Sequence, residues 1–322
     1  MTLSALLPEL LPESTAAAPA RAEARPQPFD LADDGAYRRW RAWKLAHRGS
    51  DAAPPVLALA DPRELSAAER DALRLRIAST GCAVYRSPIV EPDSSLPRRL
   101  AAQLGVLALD ANWLADSDGI SRITVSTDRD DAEGRGGFIP YTERAIGWHT
   151  DGYYHPAQRR IRTMMLHCVQ AAASGGDSAW LDPELAYIAL RDEDPALVRA
   201  LMQPDAMTIP ARNDEHGVVR AAQSGPVFSL CLDGHLHMRY TARTRSVQWK
   251  EDAATGAATA RLAALLEGAR PQRLRLEPGM GLVGHNVLHT RTAFVDDAAR
   301  PRLLYRARFL DRIGSPHDEA WR

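Results

Sequence analysis

The sequence predicts a mainly β fold with flanking helices, and three observations carry that reading. From residue 161 onward, short apolar runs recur with turn residues between them. The helical stretches are few and separate these runs rather than alternating with them regularly. No internal repeat of fixed period is present, which removes solenoids and propellers. Many short strands with a few covering helices describe a β-sandwich or open barrel, whose mouth is a natural concave site.

Taken in order, residues 1–28 are rich in Ala and Pro with little periodicity, and read as a loosely packed arm. Asp30 to His47 reads as a helix, with Asp33 or Asp34 as N-cap and Tyr37, Trp40, Trp43 and His47 at helical spacing. Its aromatics suit core or subunit packing, and arm and helix together are the expected route to a homo-oligomer. Val56-Leu57-Ala58-Leu59 is a short strand. Ser66-Ala67-Ala68-Glu69 is a capping box that opens the next helix. Gly81 to Tyr85 is a buried strand, Leu96 to Leu104 a helix, and Ile120 to Ser126 a strand. The charged, glycine-rich stretch 128–137 is a loop and a candidate lid. Ile161 to Val169 is a strongly apolar strand. Pro183 to Leu190 and Pro195 to Met202 are helices, each with Pro near its first position. Asp233-Gly234 marks a hairpin between runs at 227–231 and 235–240. Ala253 to Leu266 is a long helix, and strands at 273–276, 281–283 and 303–310 close the fold. The organisation expected is an arm and helix over 1–55, a β domain over 56–312 and a tail over 313–322.

Composition bounds the partners. A formal net charge of −1 gives no overall field for nucleic acid or an anionic membrane. Only Lys44 and Lys250 are lysines among 40 Lys and Arg residues, a skew that reads as coding bias. Cys82, Cys168 and Cys231 are odd in number and widely spaced, as expected of reduced thiols in a cytoplasmic protein. No apolar stretch approaches the roughly 20 residues of a membrane span, and the N-terminus has no basic region of the secretory kind.

The chemistry is concentrated in Gly147-Trp148-His149-Thr150-Asp151-Gly152-Tyr153-Tyr154. In an extended segment residues i and i+2 share a face, so His149 and Asp151 can converge on one cation. Two imidazoles and one carboxylate on one side of an iron, with open positions opposite, are the ligand set of non-haem Fe(II) oxygenases. His289, in Val287-Leu288-His289-Thr290-Arg291, is the best third ligand, with His285 as the alternative. Arg302 follows His289 on a predicted strand, where a guanidinium can fork onto the distal carboxylate of a 2-oxo acid, and Ser178 can add a hydroxyl. His235 and His237 alternate on one strand and read as strand packing, and His155 and His167 read as structural.

The order His149-Thr150-Asp151, then Gly175-Gly176-Asp177-Ser178, then Val287-Leu288-His289-Thr290-Arg291, then Arg302 resembles the taurine dioxygenase superfamily. The distal histidine motif is similar to those of the γ-butyrobetaine hydroxylase and clavaminate synthase branches. Two departures stand out. Ser178 replaces the family's Thr, keeping the hydroxyl, and Gly284-His285-Asn286 stands where Asp-Asn-Arg is usual. The resemblance covers roughly 56–312. It implies a double-stranded β-helix (jelly-roll) core, an Fe(II) held by His149, Asp151 and His289, and 2-oxoglutarate as co-substrate with O2. Oxidative decarboxylation would give succinate and CO2. A carboxylate at Asp151 implies hydroxylation of an unactivated C–H bond, or less often desaturation or ring closure, rather than halogenation.

For the primary substrate, Trp148, Tyr153 and Tyr154 flank the metal motif, and Arg239 and Arg306 are candidate partners for an anion. These residues predict a small polar substrate, anionic or zwitterionic. The contrasting reading is a non-catalytic jelly-roll module that binds metal or 2-oxo acid as a sensor.

Overall fold

The computed structural model describes residues 27–49, 53–111, 115–125, 137–214 and 217–314. Most of the predicted arm, of the candidate lid and of the tail lies outside these residues. The described part holds six α-helices and two main sheets.

The larger sheet has six strands in the order 56–58, 82–86, 280–285, 163–170, 303–309 and 121–123. Its pairs are antiparallel except the parallel edge pair Val56–Ala58 with Cys82–Arg86. The helix Ala67–Thr80 supplies that parallel crossover. The smaller sheet runs 272–274, 178–181, 288–291, 146–149 and is antiparallel throughout. Strand alternation sorts the residues between layers. Tyr305, Ala307 and Phe309 join Leu73, Ile77, Leu100 and Leu104 beneath the helices 67–80 and 96–103. Leu304, on the opposite face, joins Met164, Cys168 and Leu282 of the same sheet with Trp180 of the smaller one. The apolar cluster shared by the two sheets is what fixes their separation.

A third cluster covers the flank. Trp40 and Tyr37 of the helix Asp34–His47 pack with Tyr187, Leu190, Leu201, Phe228 and Leu262. Phe29 adds edge-to-face contacts with Trp40 and Tyr187 at 4.7 and 5.4 Å. Half of the predicted stripe, Tyr37 and Trp40, is therefore core; Trp43 is half-buried and stacks at 5.0 Å on the exposed His47. Lys44, from the same helix, is buried between Asp182 and Glu184, both at 2.6 Å.

Most predicted elements fall within a few residues of those observed. Asp33 is the N-cap that accepts from the Ala36 N–H, and the capping box at Ser66 and Glu69 is complete. Gly234 turns the hairpin between Phe228–Leu230 and Leu236–Met238 at φ 81°. The edge strand predicted over 120–126 is shorter, Ser121–Ile123. Cys82 and Cys168 are buried free thiols. Among the described residues no helix is long and apolar enough to cross a membrane.

Candidate metal centre

The centre lies on the smaller sheet, where two strands place the histidines face to face. Leu288–Arg291 pairs antiparallel with Ile146–His149, and the register sets His289 directly opposite His149. Directly opposed residues bring their side chains together on one face, and the two imidazoles stand with centroids 4.1 Å apart. On its other edge His149 bridges to Thr241, so the motif is held from both sides. The Thr150 N–H donates to the Tyr240 carbonyl, and the Thr150 hydroxyl accepts from the Tyr240 N–H.

Asp151 lies one residue beyond Thr150, at the start of a turn that needs Gly152. Gly152 has φ +65°, and a Cβ there would lie 2.6 Å from Ile161 Cγ1. The chain thus reverses right after the carboxylate. The backbone of Asp151 is gripped by Asn286, whose Oδ1 accepts the Asp151 N–H while its Nδ2 donates to the Asp151 carbonyl, both at 2.8 Å.

Among the described residues, His149, Asp151 and His289 form the one group of His, Cys, Asp and Glu able to hold a metal ion, with one ligand atom from each within 4.8 Å of the others. The donor set fits a divalent transition metal on three counts. The His149 and His289 Nδ1 atoms lie 3.0 and 2.9 Å from the carbonyls of Gly147 and Val287. A carbonyl only accepts, so each Nδ1 carries the proton and each Nε2 keeps its lone pair for a metal. Asp151 Oδ2 is buried without a hydrogen-bond partner, an arrangement that a cation would satisfy. Two imidazole nitrogens and one carboxylate oxygen are the facial set that iron takes with positions left open.

The electrostatics hold His149 and Asp151 in their metal-binding protonation states. Burial, then the neighbouring His289, holds the His149 pKa down at about 3, so its ring is neutral. For Asp151, burial opposes the charge, but Arg306 and Arg308 outweigh it and leave the pKa well below the usual carboxylate range. Their Nη1 atoms stand 3.7 and 4.0 Å from Asp151 Oδ1.

Arg302 is 5% exposed, with its guanidinium 4.9 Å over the Phe294 ring and beside Gly176. None of the described residues accepts a hydrogen bond from that guanidinium. Ser178 is buried opposite Arg291 in the strand register. Arg291 itself donates to the carbonyls of Ile139, Pro140, Thr142 and Arg144 and so clasps the approach to the 146–149 strand. Arg306 Nε is buried and unpartnered. Tyr154 accepts from Arg308 Nη1 at 3.0 Å and meets Tyr153 edge to face at 5.3 Å. Trp148, Tyr153 and Tyr154 are partly buried against the flanking core.

Other candidates are placed elsewhere. Arg239, offered by the sequence as an anion partner, donates to the carbonyls of Tyr153, Met207 and Gln223 and is 8% exposed. His285 turns to the Ile313 carbonyl at 3.2 Å, away from the triad, which leaves His289 as the third member. His155 Nδ1 faces the Arg159 carbonyl and His167 Nδ1 the Tyr85 hydroxyl, each at 3.0 Å. Sequence reasoning passed over Arg308 and the grip of Asn286. Arg306-Ala307-Arg308 on one strand puts both guanidiniums on one face, a signal that was there to read. The grip of Asn286 is a tertiary contact with no sequence signature.

Comparison with known proteins shows the family of the chain. Two uridine-5'-phosphate dioxygenases are similar in sequence. One, from Streptomyces sp, is 34% identical over 174 residues, covering 52% of this chain and 62% of the relative. The other, from Amycolatopsis sp, is 31% identical over 175 residues, covering 51% and 60%. The matched region thus spans about six-tenths of the length of these relatives. In fold, the chain is similar to an asparagine oxygenase solved with Fe(II), hydroxyasparagine and succinate, with TM-score 0.51, 17% identity, and 84% and 89% of the two chains covered. It is also similar to the non-haem iron oxygenase OrfP solved with Fe and α-ketoglutaric acid, with TM-score 0.56, 17% identity, and 77% and 81% covered. The sequence matches the family described as taurine catabolism dioxygenase TauD, TfdA over residues 45–308; the chain belongs to that family.

Proposed function

We propose that the protein is an Fe(II)- and 2-oxoglutarate-dependent dioxygenase that hydroxylates an unactivated C–H bond of a small anionic substrate, releasing succinate and CO2. The observation that carries the reading is the convergence of His149, His289 and Asp151, with Asp151 Oδ2 buried and unpartnered. Family membership supports it. In this reading the two facing sheets are the halves of a double-stranded β-helix, with the centre at its mouth.

Each residue has a stated task. His149, Asp151 and His289 would hold the iron through Nε2, a carboxylate oxygen and Nε2. The iron and 2-oxo acid, when bound, supply the oxidising chemistry. Arg302 would fork onto the distal carboxylate of 2-oxoglutarate, with the Ser178 hydroxyl beside it. Its burial strengthens that charge-assisted contact and keeps water from competing. Arg306, whose Nε is buried and unpartnered and whose Nη1 stands 3.7 Å from Asp151 Oδ1, would meet an anionic group of the substrate. Trp148, Tyr153 and Tyr154 would wall the site. The names of the two sequence relatives support a phosphorylated nucleoside within the anionic class.

An anaerobic titration of metal-free protein with Fe(II) and 2-oxoglutarate tests the reading. A visible charge-transfer band should appear and be lost in Asp151→Ala. Succinate release should then rise with uridine 5'-phosphate over uridine. Absence of the band with folded protein overturns the assignment. A band without any response to phosphorylated nucleosides overturns only that substrate class.

A further inference from the structure

We infer that Asn286 is a positioning residue for the metal centre, joining the backbone of Asp151 to the segment that carries His289. The inference rests on the proposed metal site and deepens it.

Asn286 lies three residues before His289, just past the end of the 280–285 strand. It is 7% exposed, and its side chain makes three hydrogen bonds, all to backbone. Oδ1 accepts the Asp151 N–H at 2.8 Å; Nδ2 donates to the Asp151 carbonyl at 2.8 Å and to the Ile161 carbonyl at 2.9 Å. Its own N–H donates to the Arg162 carbonyl at 3.1 Å. A carboxamide has one acceptor oxygen and two donor hydrogens, and here all three functions are used on backbone. No charged side chain could supply both roles at one position.

The targets explain the purpose. Asp151 and Ile161 are the two ends of the excursion 152–160, which carries Tyr153 and Tyr154. Asn286 closes the neck of that excursion. Asp151 is in an irregular turn, so no ladder hydrogen bonds fix its backbone. Its side-chain oxygens also receive no close hydrogen bond from the described residues, since the nearest guanidinium nitrogens are 3.7 and 4.0 Å away. The position of the carboxylate therefore depends on its backbone, and the backbone depends on Asn286. Because Asn286 and His289 belong to one short segment, the grip also sets the distance between the carboxylate and the distal imidazole.

A purely structural role would lower stability without changing metal binding, so the test compares metal-free and Fe(II)-loaded protein. The thermal midpoint is measured anaerobically with and without Fe(II), and the Fe(II) dissociation constant by equilibrium dialysis. Asn286→Ala should weaken Fe(II) binding about 10–100-fold, the range for groups that orient a metal ligand. The Fe(II)-induced rise in midpoint should shrink accordingly. Asn286→Ser, which keeps one small donor and acceptor, should fall between Ala and the native residue, and it carries the test should Asn286→Ala not fold. A lowered midpoint with an undiminished Fe(II)-induced rise in these variants overturns the inference. Asp151→Ala, run alongside, separates the two readings. If it abolishes Fe(II) binding while Asn286 variants bind normally, only the role of Asn286 falls. If Asp151→Ala binds Fe(II) as tightly as the native protein, the metal centre falls, and this inference with it.

Discussion

Arg308 and Asp110 form an ion pair at 2.7 Å in which both side chains are almost wholly buried, 2% and 1% exposed. The pair stands directly behind the metal centre. The other arm of Arg308 donates to the Tyr154 hydroxyl and lies 4.0 Å from Asp151 Oδ1. One cation thus serves two carboxylates and a tyrosine. Arg308→Met should be destabilising, because among the described residues Asp110 would keep only Arg159 as an ion partner. Removing one member of a buried pair costs about 3–5 kcal/mol. Urea unfolding of the metal-free protein checks this. A loss below about 1 kcal/mol, the value typical of solvated pairs, would show that water replaces the guanidinium.

Arg302 is the next case. Its buried guanidinium finds no hydrogen-bond acceptor among the described residues, so the structure carries an unspent planar cation beside Phe294 and Gly176. Losing a buried charge-assisted partner of a ligand costs about 2–5 kcal/mol. Arg302→Ala should therefore raise the 2-oxoglutarate KM at least about 30-fold on that basis, with Fe(II) affinity in the absence of co-substrate little changed. Arg302→Lys should recover only part of the loss, since an ammonium cannot make the forked contact. An unchanged KM in Arg302→Ala would move the carboxylate anchor to Arg306.

Much of this centre was legible in the sequence. His149 and Asp151 could be read because an extended chain repeats its face every two residues. His289 could be read because its spacing and surroundings resemble a known family, and the same resemblance singled out Arg302 as the proposed anchor. Arg239 was misleading: an arginine in a strand next to aromatics looks like an anion site, and only the fold reveals that three carbonyls consume it. The parallel edge pair at 56–58 and 82–86 was also hidden, since strand direction is set by the intervening helix and not by local composition. Asn286 was visible only as a departure from a motif. Its meaning lies in contacts 135 residues away in sequence.

Acid should weaken the metal-free fold through histidines that are held neutral. Burial pulls the His167 pKa down to about 4, and that of His237 to about 3. In the unfolded chain an imidazole titrates near 6.5. Between these values the unfolded state binds the extra proton, so stability falls as pH drops below about 6.5 and continues to fall toward the folded values. From His167, which is 1% exposed, linkage gives a loss of about 2 kcal/mol between pH 7 and pH 5. His237 acts in the same direction. Urea unfolding at the two pH values measures it, and His167→Gln should flatten the slope. A native slope matching that of His167→Gln would mean that this ring gains its proton without unfolding.

The turn that follows Asp151 gives the last prediction. Gly152 holds φ +65°, and a Cβ placed there would lie 2.6 Å from Ile161 Cγ1 and 3.0 Å from His155 Nδ1. Gly152→Ala therefore combines two costs: a left-handed backbone conformation, about 1–2 kcal/mol for an L-residue, and overpacking against a buried isoleucine, about 1–3 kcal/mol. Gly234 separates them. It has φ +81°, and a Cβ at that position would meet nothing within 4 Å, so Gly234→Ala carries the conformational cost alone. Urea unfolding of both variants should place Gly152→Ala below Gly234→Ala by at least about 1 kcal/mol. Gly152→Ala should also weaken Fe(II) binding, because relief of the Ile161 contact displaces the residue next to the Asp151 ligand, whereas Gly234→Ala should leave it unchanged. Equal losses of stability in the two variants would show that Ile161 yields, and that the turn tolerates a side chain where the carboxylate is set.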